Sequence, residues 1–217
     1  GGTDATDKQL TTTMRKLRIA QIAPLWIRVP PVGYGGTEWV VYHLANELVR
    51  RGHRVTLFGP GNSRTDADLV AGHRTNLLAD GIPWSNQQYT LLHLARAFER
   101  AGEFDLIHSH VDLWETFFAR HSRGVPVVHT MHNPLYSDYH PNLRLQTLQR
   151  SRWSHFITIT DAQARLAHIR LHRAGTVHNG VDLEHFRYHP RGGAHFVWIA
   201  RVNKSKAIEN AVAGARH

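Results

Sequence analysis

The stretch Leu17–Phe58 constrains this chain more than any other, because it sets out a strand, a glycine-rich loop, an amphipathic helix and a second strand in order. Arg18–Ala23 is a short apolar run. The following dozen residues include Pro24, Pro30, Pro31, Gly33, Gly35 and Gly36, which neither continue a strand nor start a helix before Thr37. Val40, Val41, Leu44, Ala45, Leu48 and Val49 then recur at the period of a helix with one buried face. Gly52 closes that helix, and Arg54–Phe58 reads as the next strand.

Such a loop lets backbone N–H groups approach an anion at a helix N-terminus, where the helix dipole favours negative charge. Phosphate is the expected guest; the plainer reading is a tight connection in an α/β domain. A dinucleotide fingerprint starting at Gly33 would need glycine at position 38, where Glu38 stands. Glu38 falls in the first turn of the helix, a position that suits an acidic side chain whether or not a ligand binds.

The remaining sequence alternates strand-like and helix-like segments. Gln88–Arg100 is expected to be a helix, Leu106–His108 a strand, Glu115–His121 a helix and Val125–His129 a strand. Ile157–Thr160 and Thr176–His178 continue the strands around a helix starting near Asp161. This alternation predicts a Rossmann-like α/β fold, a parallel sheet with helices on both faces and ligands gathered at the carboxyl ends of the strands. His108 and His110 share a face at one such end. They read either as strand-end histidines bonded to backbone carbonyls or as groups reaching a ligand. A metal site among His108, His110, His129 and His132 lacks the acidic or cysteine ligands of a known pattern, so no metal is expected. Asn133, with Tyr136 beyond it, could contact an acceptor, although Asn133-Pro134 is also ordinary turn chemistry.

The chain has no cysteine and therefore no disulfide framework, which fits a reducing cytoplasm. No apolar run reaches the ~20 residues of a membrane span. The polar N-terminus, residues 1–16, is expected to be a disordered tail. A net charge of +9 invites a nucleic-acid reading, but lysine and arginine are dispersed and no recognition motif is present. A basic chain also suits phosphorylated ligands or an anionic membrane surface, for which Leu143–Trp153 is the candidate segment. No nucleophile elbow or P-loop lysine motif appears, which disfavours hydrolases and NTPases.

Several segments together resemble a known family. They are Gly35-Gly36-Thr37-Glu38 with the helix behind it, Arg51-Gly52-His53, Asp105-Leu106-Ile107-His108-Ser109-His110, Val127-Val128-His129-Thr130-Met131-His132-Asn133 and Val177-His178-Asn179-Gly180-Val181-Asp182, followed by Phe186. With Phe196–Ile199, Arg201 and Lys206 they resemble, in order and spacing, the family 4 retaining glycosyltransferases of the GT-B fold. The resemblance implies transfer of a hexosyl group, with retention, from a nucleoside-diphosphate sugar to a carbohydrate, lipid or small-molecule hydroxyl, without a cofactor. It implies a catalytic role for His110. Gly35, Gly36, Thr37, Glu38, His132 and Asn133, with the basic pair Arg201 and Lys206, would contact substrate or phosphate. The family's glycines beside that pair are replaced by Ala200 and Ala207, and a solvent-facing basic loop is the other reading of the pair.

The resemblance also implies two domains. Residues 17–190 would form the acceptor-side domain, and residues 191–217 would open the donor domain with a strand at Phe196–Ile199 and a helix at Ala207–Arg216. On this reading the second domain is truncated, the chain is inactive alone, and an oligomer or a complementing C-terminal domain completes it. A non-catalytic anion- or nucleotide-binding module and a basic nucleic-acid-binding protein are the alternatives.

Overall fold

A computed structural model describes residues 15–135, 143–166, 169–185, 188, 190–200, 202 and 206–216. Residues 1–14 of the expected tail, Tyr136, Phe186 and Arg201 lie outside the described residues. The chain divides into two units, Gly1–Gly180 and Val181–His217.

The larger unit is built on seven strands: β1 Arg18–Ile22, β2 Arg54–Pro60, β3 Asp68–His73, β4 Leu106–Ser109, β5 Val127–Met131, β6 Ser154–Thr158 and β7 Arg173–Thr176. They form one parallel sheet in the order β3-β2-β1-β4-β5-β6-β7. Its helices are α1 Gly36–Arg50, α2 Gln88–Glu99, α3 Leu143–Arg150 and α4 Asp161–Leu166. Alternation along each strand divides the core. Val55, Leu57 and Ala23 meet Val41 and Ala45 of α1 on one face. Ala20, Ile22, Phe58, Ile107 and Val127 meet Leu94 and Phe98 of α2 on the other. Burying a side chain as large as Phe58 contributes about 1.5–3 kcal/mol.

The sequence-based elements shift in detail. The helix expected over Glu115–His121 is two 3-10 turns, Trp114–Phe117 and Ala119–His121. Bonds of the i→i+3 kind, such as Phe118 N–H to the Glu115 carbonyl, close these turns in place of an α-helical ladder. β3 is an additional edge strand, half exposed and without a strong apolar signature. The end of α1 follows expectation. Gly52, at φ +87°, sends its N–H to the Val49 carbonyl while His53 N–H reaches Leu48.

In the smaller unit, residues 196–199 form no strand, contrary to expectation, and Phe196, Val197 and Ile199 are exposed. A strand needs a ladder partner, and no strand lies in this unit among the described residues. The expected helix is present as α5 Ile208–Gly214. No helix among the described residues is long and apolar enough to cross a membrane.

The β1–α1 connection is not a loose loop. Leu25 and Trp26 carbonyls accept the Leu77 and Leu78 N–H groups, and Val29 is bonded through its N–H to Ser63 Oγ and through its carbonyl to the Arg64 N–H. His93 of α2, fully buried and held neutral by burial with its pKa lowered to about 4, donates from Nε2 to the Ala23 carbonyl at 3.1 Å. Its Nδ1 lies against the α-carbon of Gly72, where a Cβ would overlap the ring. Gly72→Ala is therefore expected to destabilise the protein by about 1–3 kcal/mol, as overpacking does. Gly102→Ala, which meets nothing within 4 Å, should change the thermal midpoint little; equal midpoints for the two variants would contradict this packing.

Candidate functional site

Sheet order reverses at β1, which sends its neighbours' crossovers to opposite faces and opens a crevice at the carboxyl ends of β1 and β4. The α1 N-terminus and the residues following β4 and β5 lie at this edge. Gly35 caps α1 without a side chain, at φ 153° and ψ 71°. A Cβ there would come within 2.7 Å of Pro31 Cβ and 2.9 Å of Glu38 Oε2, so only glycine fits. Gly36 is different: it is exposed, and a Cβ would meet nothing within 4 Å. The first intrahelical bond joins Trp39 N–H to the Gly35 carbonyl, so the N–H groups of Gly36, Thr37 and Glu38 stand at the dipole's positive end. Glu38 is buried, and burial pushes its carboxyl above the usual range, against a bond to its own backbone N–H.

The histidines form a continuous polar chain on the α1 face of the sheet. Gln21, in the middle of β1, places its Oε1 2.8 Å from His110 Nε2 and its Nε2 3.3 Å from His108 Nδ1. His108 Nε2 is 2.8 Å from Thr130 Oγ1, and His110 Nδ1 is 2.9 Å from His132 Nε2. The His110 backbone N–H donates to the Ile22 carbonyl, fixing the end of β4 to β1. His110 is 2% exposed with both ring nitrogens engaged, whereas His132 is only half-buried. Burial, reinforced by neighbouring imidazoles, lowers His108 to about 3, His132 to about 4 and His110 well below its ordinary value. Among the described residues no group of three or more His, Cys, Asp or Glu is placed to hold a metal ion.

Two further side chains hold the loops around these rings. Arg144 of α3 donates twice to Asp112, at 2.7 and 2.9 Å, and once to the Pro134 carbonyl, clamping the loops after β4 and β5 together. Burial raises the Asp112 carboxyl, but the Arg144 bonds and charge outweigh it and hold the group below its usual range. Gln163 of α4 donates to the Met131 and Asn133 carbonyls, both at 2.9 Å.

The sequence-predicted residues are thus divided. Gly35, Gly36, Thr37, Glu38, His110, His132 and Asn133 line the carboxyl edge of one sheet. Lys206 belongs to the smaller unit, and Arg201 is outside the described residues. Sequence reasoning missed Gln21, Thr130, Arg144 and Gln163. Gln21 carried a signal, a lone amide inside an apolar parallel strand; Arg144 and Gln163 sat on helices with nothing to distinguish them. His129 points to the other face of β5, where Nδ1 lies 2.9 Å from Glu115 Oε1 in the core.

The neutral rings predict an acid-labile fold. His93, His108, His110 and His132 have folded-state pKa values below 6.5, so the unfolded chain binds their protons first as pH falls. Their contribution is present above about pH 6.5 and is lost progressively toward pH 4, at up to ~1.4 kcal/mol per pH unit for each group. Denaturant unfolding across this range should report uptake of more than one proton on unfolding; a flat profile would contradict the neutral cluster.

The family model for Glycosyltransferase Family 4 matches residues 34–185 of this chain. The chain is 34% identical over 113 residues to a D-inositol 3-phosphate glycosyltransferase from Gordonia bronchialis, covering 45% of this chain and 25% of that protein. Its fold is similar to that of sucrose-phosphate synthase from Thermosynechococcus elongatus, with a TM-score of 0.57 at 19% identity over 78% of this chain and 49% of that one. It is also similar to HepE from Anabaena, solved in complex with UDP-glucose, with a TM-score of 0.52 at 16% identity over 80% of this chain and 47% of that one. The chain spans a quarter of the curated relative and about half of each solved structure. These likenesses share the Rossmann-like architecture, and the family match runs from the glycine turn through both histidine strand ends to the last strand of the sheet: this chain belongs to glycosyltransferase family 4.

Proposed function

We propose that the protein transfers a hexosyl group from a nucleoside-diphosphate sugar to a hydroxyl acceptor with retention of configuration. Residues 17–190 would form the acceptor-side domain and residues 191–217 the start of a donor-side domain. The features that carry this reading are the α1 N-terminus, opened by Gly35 and Gly36, and the bonded His110–His132 pair after β4 and β5, in a sheet whose order reverses at β1. Its support from relatives is the family match, together with the UDP-glucose named in the HepE complex.

In this reading the N–H groups of Gly36, Thr37 and Glu38 donate to diphosphate oxygens. Glu38 stands in the first turn of α1, where burial raises its carboxyl above the usual range. His132 is the outer ring and bonds a sugar hydroxyl; His110 sits behind it and fixes its orientation. Asn133 extends toward the acceptor from a backbone that Gln163 holds. The resemblance alone assigns Arg201 and Lys206 to the family's basic pair, an electrostatic role that needs no cofactor.

The glycine geometry yields a clean test. A Cβ at Gly36 meets nothing within 4 Å, so Gly36→Val should keep a thermal midpoint close to wild type while a bulky side chain occupies the ligand's approach. With UDP-, GDP- and ADP-sugars, calorimetry is expected to show saturable binding of one nucleotide class, weakened at least tenfold by the substitution, or about 1.4 kcal/mol. Undiminished binding would overturn the phosphate-loop role. In a full-length enzyme supplied with acceptor, binding without any nucleoside-diphosphate release would favour a non-catalytic nucleotide-binding module.

A further inference from the structure

The polar chain through the crevice has a direction, and one side chain sets it. An amide differs from every other group in the chain because its two ends are chemically distinct, one donating and one accepting. Gln21 offers Nε2 to His108 Nδ1 and Oε1 to His110 Nε2. His108 must then accept on Nδ1 and carry its proton on Nε2, which donates to Thr130 Oγ1. His110 must carry its proton on Nε2 to serve Oε1, leaving Nδ1 bare. His132 meets that bare nitrogen with Nε2, so Nε2 is the nitrogen that donates.

We propose that Gln21 is a positioning residue that places the proton on Nε2 of His108, His110 and His132 together, so that the outermost ring keeps Nδ1 as a hydrogen-bond acceptor. The role of that acceptor, receiving a proton donor such as a sugar hydroxyl rather than binding an anion, rests on the functional reading above. The protonation pattern itself does not. Gln21 is completely buried, His108 and His110 nearly so, and an amide in a buried parallel strand is costly unless both its ends are bonded. The low ring pKa values agree, since each link works only while the rings are neutral.

The pattern can be read directly, because protonated and bare imidazole nitrogens differ widely in 15N shift. In long-range 1H–15N correlation spectra of the histidine-labelled protein at neutral pH, all three rings are expected as Nε2–H tautomers. A Gln21→Glu carboxylate can only accept, so His108 gains a proton on Nδ1 while His110 and His132 keep theirs on Nε2. Nδ1–H tautomers at His110 or His132 in the wild-type protein would overturn the proposal, as would an unmoved His108 in a folded Gln21→Glu variant. If that variant fails to fold, the wild-type spectrum decides alone. Failure of the functional reading looks different: the three Nε2–H signals would be present in a protein that binds no sugar nucleotide.

Discussion

The position of β1 between β2 and β4 is the constraint from which the rest of the structure follows. A parallel strand whose neighbours are reached in opposite directions has its two crossovers on opposite faces, which leaves a gap between them beyond its carboxyl end. The β1–α1 connection and the His110 turn both emerge into that gap, and the Ile22 carbonyl binds the His110 N–H across it. At the other end of the same strand pair, Arg18 and Asp105 close the sheet with backbone and guanidinium bonds to one carboxylate, which Arg18 pulls down to about 2. One end of the pair is clamped by charge at the surface, and the other is furnished with neutral polar groups in the interior.

Neutrality at that interior end has a physical reason. Imidazoles with centroids 4.3 Å apart, as those of His108 and His110 are, cannot both be charged in a medium that screens poorly, and burial opposes even the first charge. Neutral rings can instead bond one another in series, provided some group supplies an acceptor where a proton is offered and a donor where it is not. The amide of Gln21 does both. The glycines at the neighbouring helix end divide their duties similarly. Gly35 is demanded by its own backbone and by Pro31, whereas Gly36 leaves open space on the side where a ligand would approach.

Much of this was legible in the sequence, and the reasons differ by element. The β1–loop–α1–β2 unit could be read because apolar period, glycine placement and the Gly52 terminus all agreed. β3 could not, since an edge strand half exposed on both faces has neither a continuous apolar run nor clean alternation. Residues 196–199 have the apolar run but no ladder partner among the described residues of their unit, so pattern alone overstated them. At the site, the motif histidines were found by position, but their division of labour was not. Which of His110 and His132 lies outermost depends on how the chain turns after each strand, and Gln21 becomes meaningful only when β1 and β4 are set side by side in register.

The segment from His129 to His132 shows how a strand serves two purposes at once. Thr130 and His132 belong to the crevice. His129, one residue out of phase, enters the opposite core, where it meets Phe156 and the Glu115 carboxylate, itself bonded by Ser154 Oγ at 3.3 Å. Glu115 reaches that position because the 3-10 turn at Trp114–Phe117 drops it onto the sheet directly behind β5. A polar contact in that core stabilises little compared with apolar packing, and breaking it by removing one partner costs more than it contributes. The pair depends on register: shifting β5 by one residue would carry His129 into the crevice and Thr130 into the core. The ladder to β6 thus keeps His129 in the core while the same strand delivers Thr130 and His132 to the crevice.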